Sequence, residues 1–514
     1  MANINEYKHI SAEKFRFVQD NEKIHDKALK TKPIGYFQDA FSRFKKNKAS
    51  VVAAVILGLI ILYAIIVPFI SIYDIGDSDG FYTKCRPTLA IGDFVIFDST
   101  REMTLNERYY NYYTAIGVGA TDPDGTAELT WQDGIESEFN PVTAIKKETE
   151  NAGKISRIAK VDSYLMIGFQ YLRMTPSDFQ KILDWEAENG IKVVYPMVDT
   201  SDPDCEDPTD ANVWYKSLGM MPLSESGNKL TLDGVKEQGY VDNYLRDQDG
   251  NVMYYAQRDK NTVEIRVLYH NYYIYKTGHE PIFLFGSDGK GYDICTRMAY
   301  GLRLSLVLSV GVASVCFIFG AIFGAIEGYY GGWIDLLLER VVDILWRMPL
   351  YIIVSLFQLH LVNTGKATVL GGLLLAFCVT GWIGTAAVVR TQFYRFKNQE
   401  YILAARTLGA GDLRLMFRHI FPNAIGTIIT SSVFAIPGVI TSEATFSYLG
   451  IVNFNSSTSV SLGTMMSDGQ RYLQYDPHIL LIPAAVIAIM MICFNLFGNG
   501  LRDAFNPSLR GADE

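Results

Sequence analysis

Long apolar windows interrupt this chain at uneven intervals. A membrane-crossing helix needs about 20 mostly apolar residues, because the hydrocarbon layer is about 30 Å thick and each helical residue rises about 1.5 Å. Charge-free stretches near or above this length run over Ala49–Tyr73, Leu304–Ile326, Met348–Gly365, Ala367–Val389, His419–Ser442 and Pro477–Leu501. A seventh, Ala444–Ser467, is equally free of charge but carries Asn453, Asn455 and a run of Ser and Thr. That polarity is costly in lipid, so the stretch reads as an external loop of the kind that can re-enter the membrane. The pattern predicts six transmembrane helices, about 49–73, 304–326, 342–365, 367–389, 423–443 and 478–499. Ahead of the first, Tyr36, Phe37, Ala40, Phe41 and Phe44 recur at helical spacing among basic residues. They predict an amphipathic helix over about 34–47, lying on the inner membrane surface.

Basic residues near helix ends set the orientation. Residues 1–48 carry eleven Lys and Arg, and Arg390–Pro422 carries six. Both segments are expected in the cytoplasm, which places both termini there and residues 74–283 outside. The first window is expected to persist as a membrane helix, since its charged leader is too long for a signal peptide.

Charge then separates two objects. The 514 residues sum to −9, but residues 71–280 hold 35 acidic against 20 basic residues, or −15, and the remainder carries +6. No basic excess is available for nucleic acid. The insert is long enough for a domain with its own core, and its longest charge-free run, Tyr109–Thr121, is too short to span a membrane. Thr175-Pro176-Ser177-Asp178 opens a helical run closed by Gly190, while 191–198 and 262–276 read as strands, so the insert is expected to be α+β. Its two cysteines, Cys85 and Cys205, are candidates for a disulfide if the domain faces an oxidising exterior. The acidic run Asp202, Asp204, Glu206, Asp207 and Asp210 lacks the spacing and Gly of an EF-hand loop and reads as solvated; no metal site is expected.

Between the fourth and fifth helices lies EYILAARTLGAGDLRLMFRHIFPN, Glu400–Asn423. Glu400–Leu408 is a strong helix former, Gly409 breaks it, Asp412 can cap a second short helix, and Pro422 introduces the next membrane helix. Ala404 and Ala405 allow close backbone approach; Ile402, Leu403, Leu408, Leu415, Met416 and Phe417 are apolar; Arg406, Arg414 and Arg418 are charged. This predicts a compact knob that docks into a groove on a partner.

The same stretch resembles the E-A-A loop of ABC importer permeases, with Glu400, Ala404, Ala405, Gly409 and Pro422 matching its pattern. GSDGKGYDICTRMAYGLRLSL (286–306), GYYGGWIDLLLERVVDIL (328–345) and the tail FNLFGNGLRDAFNPSL narrow the resemblance to the C-type subunit of the oligopeptide, dipeptide and nickel branch. It covers 34–73 and about 284–510. Ser287, Lys290, Gly291, Leu462 and Asn499 depart from the pattern, and the family has only a short link where this chain has its insert.

The resemblance implies a polytopic α-helical membrane protein of the type I ABC importer permease fold, with six membrane helices and an inserted extracellular α+β domain. It implies that the 390–422 loop contacts an ATPase through Glu400, Tyr401, Ala404, Ala405, Arg406, Gly409, Asp412, Arg418, His419, Pro422 and Asn423. The implied partners are a homologous second permease, two cytoplasmic ATPases, an extracellular binding protein, peptide substrate and membrane lipid. ATP and Mg are expected on the ATPases, and no cofactor on this chain. No enzymatic activity is expected, because no phosphate-binding loop is found: its nearest approach, Gly365-Lys366-Ala367, has His360 where the first Gly belongs. Glu443, with Tyr448 and Gly450, matches a family stretch and is expected to make structural hydrogen bonds near an outer gate. Gly320, Gly324 and Gly328 form a small-residue stripe suited to close helix packing. A nickel importer is the alternative substrate reading, and a membrane receptor with an external ligand domain is the alternative of another class; the latter leaves the knob unexplained.

Overall fold

The computed structural model of the chain describes residues 36–91, 94–121, 131–151, 153–204, 207, 209–216, 218, 221, 223–224, 226–229, 241–454 and 458–505. The amphipathic helix forms as α1, Tyr36–Lys46. Asn47 caps the next helix, α2 (Lys48–Ile70), its side chain accepting the Ser50 amide at 3.3 Å. Ala40 and Phe44 of α1 are buried, and Phe44 packs edge-on against Phe497, so α1 leans on the last helix of the chain.

Residues 71–293 form the insert. A hairpin pairs β1 (Thr88–Ile91) with β2 (Phe94–Asp98). A second sheet has order β3-β5-β4, from Thr100–Asn106, Lys154–Asp162 and Val142–Asn151. Helices α3 (Glu107–Thr121) and α4 (Trp131–Glu136) follow β3. A third sheet is centred on β9 (Thr262–Leu268), which pairs antiparallel with β6 (Phe169–Met174), β7 (Val194–Tyr195) and β8 (Tyr255–Asp259). Helix α5 (Pro176–Asn189) starts and stops where its signals lie: Thr175 accepts the Asp178 amide, and Gly190 closes it at φ 70°. The strand expected over 262–276 is corrected. It ends at Leu268, and Tyr269–Thr277 is helix α6, which puts Tyr269 and Tyr273, four residues apart, on one buried face and ends in Gly278 at φ 77°. The expected strand over 191–198 shrinks to β7.

The apolar part comprises α7 (Ile294–Tyr330), α8 (Gly332–Trp346), α9 (Leu350–Val362), α10 (Val369–Phe396), α11 (Glu400–Thr407), α12 (Asp412–Tyr448), α13 (Leu462–Gly469) and α14 (His478–Phe505). Among the described residues, α2, α7, α10, α12 and α14 are each long and apolar enough to cross a membrane. The third predicted window, 342–365, is not one straight helix. It straddles a 74° bend between α8 and α9 at Met348-Pro349, where proline removes a helical donor and restricts the residue before it. Counting the bent pair as one span gives up to six. The seventh window, expected as a loop, begins in the last turn of α12, which runs to Tyr448, and ends in α13, whose Ser461 and Thr464 form a reciprocal capping box.

The α7 axis organises the molecule. Asp293 caps its start, accepting the Thr296 amide at 2.7 Å. Its 37 residues reach about 55 Å at 1.5 Å each, so the insert and the 400–420 segment lie at opposite ends of the helix bundle. At its far end Gly331 and Gly332 both adopt positive φ, 65° and 61°, and turn the chain sharply into α8.

Candidate functional site

The knob is built from α11 and the first turns of α12. Leu408 and Gly409 close α11, with Gly409 at φ 87°, a conformation disfavoured for side chains bearing Cβ. The second helix departs from expectation. Asp412 does not cap it, and no break separates it from the membrane helix: α12 runs from Asp412 to Tyr448 through a wider turn at Leu415–Ile420, with Pro422 in its interior first turn after that bulge. The Asp412 carboxylate instead accepts the Tyr329 hydroxyl at 2.5 Å, and Arg406 Nη2 donates to the same Tyr329 oxygen at 3.2 Å. Tyr329 sits at the end of α7, so this triad pins the knob to the axial helix.

The apolar residues of the knob divide into two sets. Ile402, Leu415, Met416 and Ile420 are buried against Ala321, Ala325, Val389 and Phe393 of α7 and α10. Leu403, Leu408, Leu413 and Phe417 face outward, Leu408 at 88% exposed. Glu400, Tyr401, Ala404, Arg406, Gly409, Asp412, Arg418, Pro422 and Asn423 are also on the surface, with Ala405 and His419 half-buried. Asn423 donates to the Tyr401 hydroxyl at 3.2 Å and the His419 carbonyl at 2.8 Å, bracing the two arms. The knob thus has an inner face fixed by packing and an outer face of apolar and basic side chains. Burying each inner aliphatic is worth roughly 1.5–3 kcal/mol.

Beside the knob is a latch that sequence reasoning missed. Arg390 of α10 donates through Nε and Nη2 to the two oxygens of Asp335 of α8, at 2.6 and 2.9 Å. Nη2 also reaches Glu339 at 3.2 Å, and the Tyr394 hydroxyl donates to Asp335 at 2.5 Å. The 55-residue separation hides this pair from any local pattern, although an acidic residue in an apolar amphipathic helix was a usable signal.

The glycine stripe is a contact surface between α7 and α10. A Cβ on Gly320 would lie 2.7 Å from Thr385 Cβ, and one on Gly328 would lie 2.6 Å from Phe393 Cβ. At Gly324 it would overlap the Ala386 carbonyl. Glu443 is fully buried, and its two oxygens accept Ser305 of α7 at 2.7 Å and Ser447 at 2.9 Å. Tyr448 is half-buried and Gly450, at φ 73°, turns the chain out of α12.

At the opposite end a seam joins the insert to the start of α14 and the segment before it. Arg86 Nη2 donates to the Tyr475 carbonyl at 2.6 Å, and His478 Nε2 to the Cys85 carbonyl at 3.0 Å. Asp476, nearly buried, lies 3.5 Å from Arg86 and 3.7 Å from Arg101. The two chains of the neck are interlocked: Ser287 donates to the Tyr82 carbonyl and accepts the Cys85 amide, and Asp79 accepts the Tyr269 hydroxyl at 2.6 Å. Cys85 is a free, buried thiol, and burial pushes its pKa up to about 12; its suggested partner Cys205 lies outside the described residues. Among the described residues no three His, Cys, Asp or Glu side chains converge as metal ligands.

Residues 317–511 match the family of binding-protein-dependent transport system inner membrane components. Residues 35–84 match the N-terminal TM domain of oligopeptide transport permease C. The oligopeptide transport system permease protein OppC of Bacillus subtilis (strain 168) is 42% identical over 226 residues, 44% of this chain and 72% of the relative. The dipeptide transport system permease protein DppC of the same organism is 37% identical over 227 residues, 44% of this chain and 69% of the relative. OppC of Haemophilus influenzae is 34% identical over 232 residues, 45% of this chain and 72% of the relative. Most of the insert lies between the two matched regions.

Proposed function

This chain belongs to the oligopeptide and dipeptide transport permeases, on the C-type subunit, and on that premise we propose that it is one membrane subunit of an ATP-driven peptide importer. The importer sits in a bacterial cytoplasmic membrane. Six crossings are completed by α8 and α9 acting as one broken span, with both termini in the cytoplasm and the insert outside. The chain itself carries no catalysis and no cofactor.

One observation carries the reading: a knob whose underside is locked to α7 and α10 while Leu403, Leu408, Leu413 and Phe417 point away from the bundle. Such a face fits a groove on a cytoplasmic ATPase. ATP and Mg are held on two such ATPases, and closure of that pair displaces the knob. The buried inner face passes the displacement to α7 and α10, and the Arg390–Asp335 latch passes it to α8. A homologous second permease completes the pore, and an extracellular binding protein delivers the peptide. The insert acts at the outer mouth, docking or covering that binding protein.

Co-expression with the partner subunits, then affinity purification and a peptide-uptake assay in vesicles, tests this. The expected result is a complex whose ATP hydrolysis accompanies peptide uptake. A permease that takes up peptide after deletion of 400–420, or never retains an ATPase, overturns it. Uptake and binding-protein association that survive deletion of about 80–280 overturn the role given to the insert.

A further inference from the structure

The two chain connections between the insert and the membrane helices are both held by more than the covalent backbone. Ser71 and Thr296 share a hydrogen bond at 2.5 Å, and the Tyr300 hydroxyl donates to Asp74 at 3.2 Å. These bonds fix the connection leaving α2 to the start of α7. The other side of the neck meets residues 468–478. Besides Asp476 and His478, that seam holds an ion pair of Lys290 with Asp468 at 3.2 Å. It also places the Lys84 ammonium over the Tyr472 ring, 5.1 Å from the centroid. Close backbone packing fills the space between these groups. A Cβ on Gly286 would overlap the Cys85 carbonyl and lie 2.8 Å from the His478 ring, and one on Gly289 would overlap the Tyr472 ring. The seam therefore grips separate stretches of the insert, around Lys84–Arg86, at Arg101 and at Gly286–Lys290.

The receiving segment is in turn knitted to the membrane helices. A Cβ on Gly301 of α7 would lie 3.1 Å from the Leu462 amide nitrogen of α13. One on Gly463 of α13 would overlap the Ala444 carbonyl of α12, and one on Gly469 would lie 3.0 Å from the Leu480 amide nitrogen of α14. Each contact sets backbone against backbone. Glu443, fully buried, ties the same junction together through Ser305 of α7 and Ser447 of α12. Interiors packed this closely have low compressibility and pass a displacement on instead of absorbing it. Opening the seam would also leave the nearly buried Asp476 carboxylate without Arg86 and Arg101, a loss that enclosed ion pairs resist.

We propose that the insert is a rigid outer arm of this subunit: the seam stays shut throughout transport, and the arm moves as one body with the outer ends of α7, α12, α13 and α14. A load on the insert then reaches the Glu443 junction with no hinge in between. Opening toward the outside falls between this block and the subunit that faces it, not between the insert and its own helices. The transport cycle in which the arm moves rests on the import reading above; the rigidity of the seam does not.

The test is a spin-label distance measurement by double electron–electron resonance on the complete transporter in lipid nanodiscs. Labels are placed at the exposed positions Lys260→Cys in the insert and Arg471→Cys between α13 and α14, with the unsubstituted chain as the labelling control. The expected result is one narrow distance that is the same without nucleotide and after trapping with ATP and vanadate. A shift of about 5 Å or more between the two states, the rise of one helical turn, overturns the proposal. So does a broad or multiple distribution without nucleotide. A second arm uses Lys290→Cys with Asp468→Cys, bridged across the seam by a bifunctional thiol reagent. The bridged transporter is expected to keep the peptide uptake of the unbridged variant. Loss of uptake on bridging overturns the proposal, because the seam would then have to open. If the wild-type transporter neither hydrolyses ATP nor imports peptide, the import reading falls instead. The nucleotide-free distribution then decides the arm alone, a single narrow distance supporting it and a spread overturning it.

Discussion

The knob and the insert hang from opposite ends of α7, and they meet the rest of the chain in opposite ways. The knob leaves large side chains outward: Leu408 is 88% exposed and Leu413 70%. At the neck and seam of the insert polar and aromatic groups turn inward: Tyr82 and Ser287 of the insert are fully buried, and Asp476, across the seam, nearly so. Apolar side chains left exposed as on the knob stay available to a partner. An attachment within one chain encloses its polar groups in place. This contrast is what supports the proposal that the knob is a joint between subunits, whereas the seam joins parts of one chain.

The sharpest way to break this contrast is at the outer face of the knob. Leu408→Asp with Phe417→Asp is expected to weaken ATPase binding roughly 100-fold, as loss of interface hot spots does, with unchanged accumulation of the permease in the membrane. Quantitative pull-down measures it, and unchanged affinity would sink the docking assignment. Asp335→Ala at the latch should cut coupled uptake about tenfold, since it strips Arg390 and Tyr394 of a shared acceptor; ATP hydrolysis and uptake assayed together reveal whether the two separate.

At the seam, Asp476→Ala leaves Arg86 and Arg101 without their common carboxylate, at a cost of about 1–3 kcal/mol. The insert should then be cleaved faster by limited proteolysis while ATPase binding stays unchanged. Parallel loss of both would erase the distinction between the two joints. The smallest effect concerns pH. Burial outweighs the opposing pull of Glu280, Asp162 and Glu138 and depresses the His270 pKa below 6.5, so the folded insert binds fewer protons than the unfolded chain. Stability is therefore full above about pH 6.5 and is lost as pH falls toward the folded-state value. His270→Gln should flatten that slope in thermal melts at pH 5 to 7.

Much of this was readable in local pattern. Apolar windows marked the five long helices because lipid tolerates no other backbone solution. Thr175, Pro176 and Gly190 delimited α5 because capping is a short-range interaction. The Gly320, Gly324 and Gly328 spacing announced a close helix contact, and Glu400 to Pro422 announced the knob. Other readings failed where two local rules competed. The β-branched run through Val267 continues into tyrosines that suit a strand, yet burial of Tyr269 and Tyr273 on one face made helix α6. Asp412 looked like a cap and became the acceptor of a hydroxyl 83 residues earlier.

Local pattern was enough to mark the long apolar helices, the acidic polar insert and the small-residue stripe, because each follows from periodicity, charge bias or residue spacing within one stretch. Which knob side chains point inward came from packing alone. The tertiary structure alone made a latch of Arg390 and Asp335 and keyed the insert to Asp476 and His478. Those outcomes depend on residues that the chain separates by tens to hundreds of positions, and contact at that range is set by packing of whole elements rather than by any local preference.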